Sequence, residues 1–202
     1  MEYTEPVDPG SSDLLAIGEA VRTVAPRVIV VNGGSSSGKT SIVRQVQGML
    51  AEPWLAASID DFVDSLPPAL QDSPDGFGVA AGGAVVVGEV FSRLEAAWMA
   101  GIAATARAGA PVIVDDVFLG AAASQARWRA ALTGLPVAWV GVRCEPAVAE
   151  RREASRPDRE PGMAVRQATA VHRDVGYDVE VDTTHTSAPD CARAVVTTLQ
   201  LT

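Results

Sequence analysis

Eight consecutive residues, Gly33-Gly34-Ser35-Ser36-Ser37-Gly38-Lys39-Thr40, match the pattern G-x-x-x-x-G-K-[ST]. Glycines in such a run let the chain turn tightly and bring main-chain N–H groups against phosphate. A helix opening at Lys39 would add partial positive charge at the same point. Lys39 is then expected to reach the outer phosphates of a nucleotide, and the Thr40 hydroxyl to ligate Mg²⁺. The sequence holds no N-K-x-D guanine signature, so the expected nucleotide is ATP.

Two acidic pairs stand where a second set of groups is needed. Asp115-Asp116 follows the apolar run Pro111 to Val114. A carboxylate after such a strand is placed to hold the metal, with Asp115 as metal partner and Asp116 in reserve near the substrate. Solvated turn aspartates are the competing reading. Asp60-Asp61 follows a second strand-like run, Trp54 to Ile59. Ligands of open parallel sheets bind beyond the carboxyl ends of the strands, so Asp60 would accept the proton of an attacking hydroxyl. A helix cap is the alternative for Asp60, or for Asp61 with Asp60 free to act as base. Phe62 and Phe118, near strand ends, are candidates for the wall of an apolar substrate pocket beside Asp61 and Asp116, although core packing suits both. Arg151, Arg152, Arg156 and Arg159 punctuate a Gly/Pro-marked stretch. Their planar forks suit phosphate, and they are read as a lid over residues 151–163, with Arg152 on the nucleotide and Arg156 and Arg159 at the transferring group. A solvated helix face, paired with the acids interleaved among them, is the alternative. His172 and His185 are read as structural or surface residues.

The elements that must position these groups alternate. Strands are expected at 27–31, 54–59, 111–114, 136–142 and 177–181. Helices are expected at 39–50, 62–66, 89–108, 124–132, 146–155, 165–172 and 188–199. The helix at 89–108 carries Phe91, Leu94, Trp98 and Ile102 on one stripe, and Gly109 caps it. Residues 71–88 read as an insertion loop with a small hairpin around 85–87. The alternation predicts an α/β class, a three-layer domain with a five-stranded parallel sheet flanked by helices. Residues 1–26 form an extension with a helix from about Asp13 to Val24, and residues 27–202 the main domain.

Composition narrows the class of partner. The apolar share is 48 % and the net charge −9. That composition suits a packed core, and the charge disfavours nucleic acid. No apolar run reaches the roughly 18 residues a membrane span needs. The acidic N-terminus lacks the features of a secretion signal. Cys144 and Cys191 suit reduced thiols in a cytoplasmic protein. An exposed apolar helix face would support a homo-oligomer.

Several segments together carry a resemblance: Asn32 to Lys39, Glu52 to Ala56 leading to Asp60, and Ile113-Val-Asp-Asp-Val-Phe-Leu-Gly120. So do Trp139 to Cys144, Gly162 to Ala164 and Tyr177 to His185. Collinear over residues 27 to 190, the chain resembles the chloramphenicol phosphotransferases of the P-loop kinase superfamily. The resemblance implies ATP-dependent phosphorylation of a small-molecule hydroxyl, the primary hydroxyl of chloramphenicol or a related antibiotic. Alternatives are another hydroxylated metabolite and an ATP-binding switch. The family's catalytic aspartate falls on Asp60, and its phosphate-binding Lys and hydroxyl on Lys39 and Thr40, where the family has Ser. The chain departs from the family at Ala57 to Phe62, in the stretch Asp72 to Gly88 and in its N-terminal extension.

Overall fold

The first strand of the sheet, β1 (Val28–Gly33), is buried along its whole length. Its side chains alternate between two cores. In the computed structural model, which describes residues 25–71, 73–80, 84–155 and 161–201, Ile29 and Val31 pack on one face and Val28 and Val30 on the other. That is why a run of consecutive β-branched residues, rather than an alternating one, codes for this strand.

The chain continues through α1 (Lys39–Met49), β2 (Leu55–Ser58), α2 (Ile59–Asp64), β3 (Phe77–Ala80), β4 (Ala84–Val87) and α3 (Glu89–Arg107). It then forms β5 (Val112–Asp116), α4 (Ala122–Ala131), β6 (Val137–Arg143), α5 (Pro146–Ala154), α6 (Met163–Ala170), β7 (Val179–Asp182) and α7 (Ala188–Thr198). Five strands form a parallel sheet in the order β2-β5-β1-β6-β7. The expected three-layer α/β architecture is therefore present. Helices α1 and α7 bury Ile42, Val43, Val46 and Val195 against one face. Helices α3 and α4 cover the other with Met99, Ile102, Ala106 and Trp128. A smaller cluster joins α2 to α3, where Phe62 stacks on Trp98 at 5.3 Å and meets Phe91 edge-on at 5.4 Å.

Register decides where the chemistry sits. Asp115 pairs with Val31 on one side and with Ser58 on the other, and Asp116 pairs with Asn32. The carboxyl ends of β1, β2 and β5 are thus level, at the point where β1 sends its connection to one side and β5 to the other. That is where open parallel sheets bind ligands.

Several local expectations are corrected. β1 runs through Asn32 and Gly33, two residues into the segment expected to be loop, because both pair with β6. Helix α2 begins at Ile59, before the expected Phe62. Ser58 is its cap, with its Oγ accepting from Asp60 N at 3.1 Å, so neither Asp60 nor Asp61 caps the helix. The small hairpin is real but has two full strands, β3 pairing antiparallel with β4. Residues 1–24, with the expected extension helix, lie outside the described residues. No described helix is long and apolar enough to cross a membrane.

Candidate active site

The loop between β1 and α1 closes on itself by a hydrogen bond from Ser37 N to Gly34 O at 3.3 Å. Gly33 must lack a side chain, since a Cβ there would lie 2.6 Å from Val142 O. Gly38, at φ +92°, occupies the left-handed region that opens α1. Ser36 holds φ +56° without being glycine, a strain that clusters at binding sites.

Lys39 is buried and donates from Nζ to Gly34 O at 3.1 Å, with Asp115 Oδ1 3.8 Å away. Thr40 Oγ1 donates to Asp115 Oδ2 at 2.6 Å. The hydroxyls of Ser35, Ser36 and Ser37 are buried without a hydrogen-bond partner among the described residues. An unmatched buried polar group costs about 1–3 kcal/mol. Three of them on one short loop, beside a buried ammonium, fit an oxygen-rich anion such as a triphosphate. Thr40 and Asp115 would hold its divalent metal together with phosphate oxygens, the sparse protein ligation typical of Mg²⁺. Among the described residues no larger cage of His, Cys, Asp or Glu exists.

The loop is braced from behind. Thr183 Oγ1 donates to Ser37 O at 2.7 Å, and the Arg152 guanidinium holds Thr183 through its carbonyl at 2.7 Å and its hydroxyl at 3.1 Å. Arg152, expected on the nucleotide, thus acts through Thr183 on the loop and does not line the cleft. Arg156 and Arg159 lie outside the described residues. Glu153, one residue after Arg152, is buried and accepts from the Gly162 and Ala164 amides at 2.8 and 2.7 Å, fixing the start of α6.

A second brace was not foreseen. The Asn32 amide donates to Val171 O at 2.9 Å and to Tyr177 Oη at 2.6 Å, while its Oδ1 accepts from Phe118 N at 2.9 Å. His172 Nδ1 meets the same Tyr177 hydroxyl at 2.6 Å. The Tyr177 hydroxyl thus ties Asn32 of β1 to His172 in one buried polar network. Burial drives the His172 pKa down to about 4 and the Tyr177 pKa up to about 12.

One cleft of about 1180 Å³ contains the loop residues Ser35, Ser36, Lys39 and Thr40 together with Asp60, Asp115 and Asp116. It exceeds the roughly 300–1,000 Å³ of a single small-ligand pocket, so it has room for two reactants. Its lining also includes apolar residues, Phe77, Val85 and Val87 of the hairpin with Phe91 of α3 and Leu119. Glu95 and Arg127 add a polar pair there at 3.3 Å, and Arg127 also donates to Ser124 Oγ at 3.3 Å. Burial raises the Glu95 pKa against the pull of Arg127.

The expected substrate wall is corrected. Phe118 is fully buried, tilted against Trp139 in the core, and Phe62 is sealed between Phe91 and Trp98. Asp61 is exposed on α2 and is not part of the cleft lining. Asp116 reaches the cleft, but Val117 N and the Trp128 indole N–H occupy its two oxygens at 2.6 and 2.5 Å. Burial outweighs those bonds and raises its pKa.

This sheet order, the glycine-rich loop after β1 and the carboxylate at the end of β5 define a P-loop kinase fold. Solved structures agree. A sugar kinase from Janibacter sp. HTCC2649 superposes with a TM-score of 0.65 at 20 % identity, covering 87 % of this chain and 95 % of that one. A gluconokinase from Sinorhizobium meliloti 1021 gives 0.56 at 19 %, covering 87 % and 93 %. The sequence profile described as "Chloramphenicol phosphotransferase-like protein" matches residues 26–200. A protein of Mycobacterium tuberculosis (strain ATCC 25618 / H37Rv), named "Putative O-phosphotransferase Rv2636", is 34 % identical over 183 residues, 83 % of this chain and 79 % of its own. The chain belongs to the chloramphenicol phosphotransferase-like family, and its class is that of an enzyme transferring a phosphoryl group to an alcohol.

Proposed function

We propose that this enzyme uses Mg²⁺ and ATP to phosphorylate the hydroxyl of a small, apolar-bodied alcohol, the primary hydroxyl of chloramphenicol or a related antibiotic, and so inactivates it. The observation that carries this is that the Gly33–Thr40 loop, Asp60 and apolar residues of the hairpin line one cleft.

Bound Mg·ATP supplies the γ-phosphoryl group. Lys39 and the loop amides would hold its phosphates, and Thr40 with Asp115, already paired at 2.6 Å, would hold the Mg²⁺ that offsets their charge. Asp60 stands on the first turn of α2, fixed by the Ser58 cap, and takes the proton of the acceptor hydroxyl. The acceptor's apolar body lies on Phe77, Val85, Val87 and Phe91. Its remaining polar groups meet Glu95 and Arg127, whose charges offset each other. That suits a neutral acceptor.

Asp60→Asn keeps the shape and removes the base. Its kcat should fall by about 10²–10⁴-fold with the KM for ATP unchanged. Wild-type turnover in this variant would remove Asp60 from the reaction.

A further inference from the structure

Helix α6 does more than pack behind the loop. A Cβ on Gly34 would meet the Gln167 backbone at 3.1 Å and its Cβ at 3.2 Å, so helix and loop are in direct contact. From this helix Gln167, only 7 % exposed, accepts from Ser35 N through Oε1 at 2.7 Å. An N–H can only donate, so the bond fixes which end of the amide faces Ser35. The other end, Nε2, has no hydrogen-bond partner among the described residues, and Gln167 lines the cleft beside Ser35, Ser36 and Lys39.

We propose that Gln167 is a phosphate-binding residue. Its Oε1 orients the Ser35 end of the loop, and its Nε2 donates directly to the nucleotide's phosphate chain. A neutral two-ended amide suits this task, because one group accepts from the loop and donates to the anion without a titration step. The inference rests on the nucleotide reading of the cleft.

Gln167→Glu separates the two halves of the role. The carboxylate still accepts from Ser35 N, but it replaces the donor with a negative charge facing an anion. Gln167→Ala removes both halves. Mg·ATP binding by calorimetry on the full chain should rank wild type above Ala and Ala above Glu. Gln167→Glu should bind at least about tenfold more weakly than wild type at pH 8, the scale of a hydrogen bond to a charged group. Part of that loss should return as pH falls and the introduced carboxyl protonates.

Gln167→Glu binding as tightly as wild type, or more tightly than Gln167→Ala, would reduce Gln167 to a support for Ser35 and overturn the proposal. If the Ala variant does not fold, the wild-type and Glu curves across pH decide alone. A wild-type chain with no affinity for Mg·ATP would instead sink the nucleotide reading, and the role of Gln167 with it.

Discussion

Gly33→Ala should damage the site far more than its single added methyl suggests. Gly33 pairs with Val142 across the centre of the sheet. The new Cβ would lie 2.6 Å from Val142 O and 2.8 Å from Ser37 Oγ, where 3.0 Å is the practical limit. Ser37 Oγ is a side-chain atom, but Val142 O belongs to a buried central strand and cannot rotate away. β1 and β6 must therefore separate by at least 0.4 Å. Overpacking of this kind costs about 1–3 kcal/mol. At roughly 2–4 °C per kcal/mol for a chain of this length, Tm should drop by about 2–12 °C. The displaced atoms carry the phosphate loop, so the KM for ATP should rise about tenfold or more at temperatures where the variant is folded.

Gly38→Ala is the comparison. Its nearest neighbour would be Thr183 Cγ2 at 3.7 Å, so no clash arises and only the φ of +92° is strained, at about 1–2 kcal/mol. Calorimetric melting and ATP kinetics on both variants provide the assay. A Gly33→Ala enzyme that melts and uses ATP like wild type would refute the close-approach reasoning.

Other consequences reach beyond the loop. His172 is buried with a pKa near 4 against 6.5 when exposed, so the unfolded chain binds the extra proton between those values. Its contribution is present above pH 6.5 and is lost as pH falls toward 4, at most about 3 kcal/mol. Removing it with His172→Gln should narrow the Tm gap to wild type between pH 7 and pH 4.5; an unchanged gap would contradict the buried neutral imidazole. Gly101, exposed in the middle of α3 with open space where a methyl group would stand, should gain from alanine. Gly101→Ala should raise Tm by roughly 2–4 °C through about 1 kcal/mol of helix propensity, with activity intact.

Much of the proposed nucleotide half was legible in the sequence because its parts are contiguous. Gly33 to Thr40 form one run, and the apolar runs before Asp115 and Asp60 announce strand ends. The contacts between distant segments were not. Glu95 and Arg127, beside the proposed acceptor, come from different helices, and Gln167, proposed on the phosphates, meets Ser35 across 132 positions. No local spacing marks such contacts; only the packing of α3, α4 and α6 around the sheet creates them. Phe62 and Phe118 misled because an aromatic near a strand end fits core and pocket equally well by pattern. The hydrogen bond from Phe118 N to Asn32 turns that segment inward and decides for the core. β3 was missed because Phe-Gly-Val-Ala has little alternation until β4 supplies its partner.

The most direct test is to supply ATP labelled with ¹⁸O in its γ-phosphoryl group, with Mg²⁺, to chloramphenicol and a panel of other small alcohols, and to weigh the acceptors by mass spectrometry. One acceptor should gain a single labelled phosphoryl group on a hydroxyl, in step with ADP, and Asp60→Asn should abolish the gain. Label appearing only as inorganic phosphate, with every alcohol unchanged, would contradict transfer to a hydroxyl in this cleft.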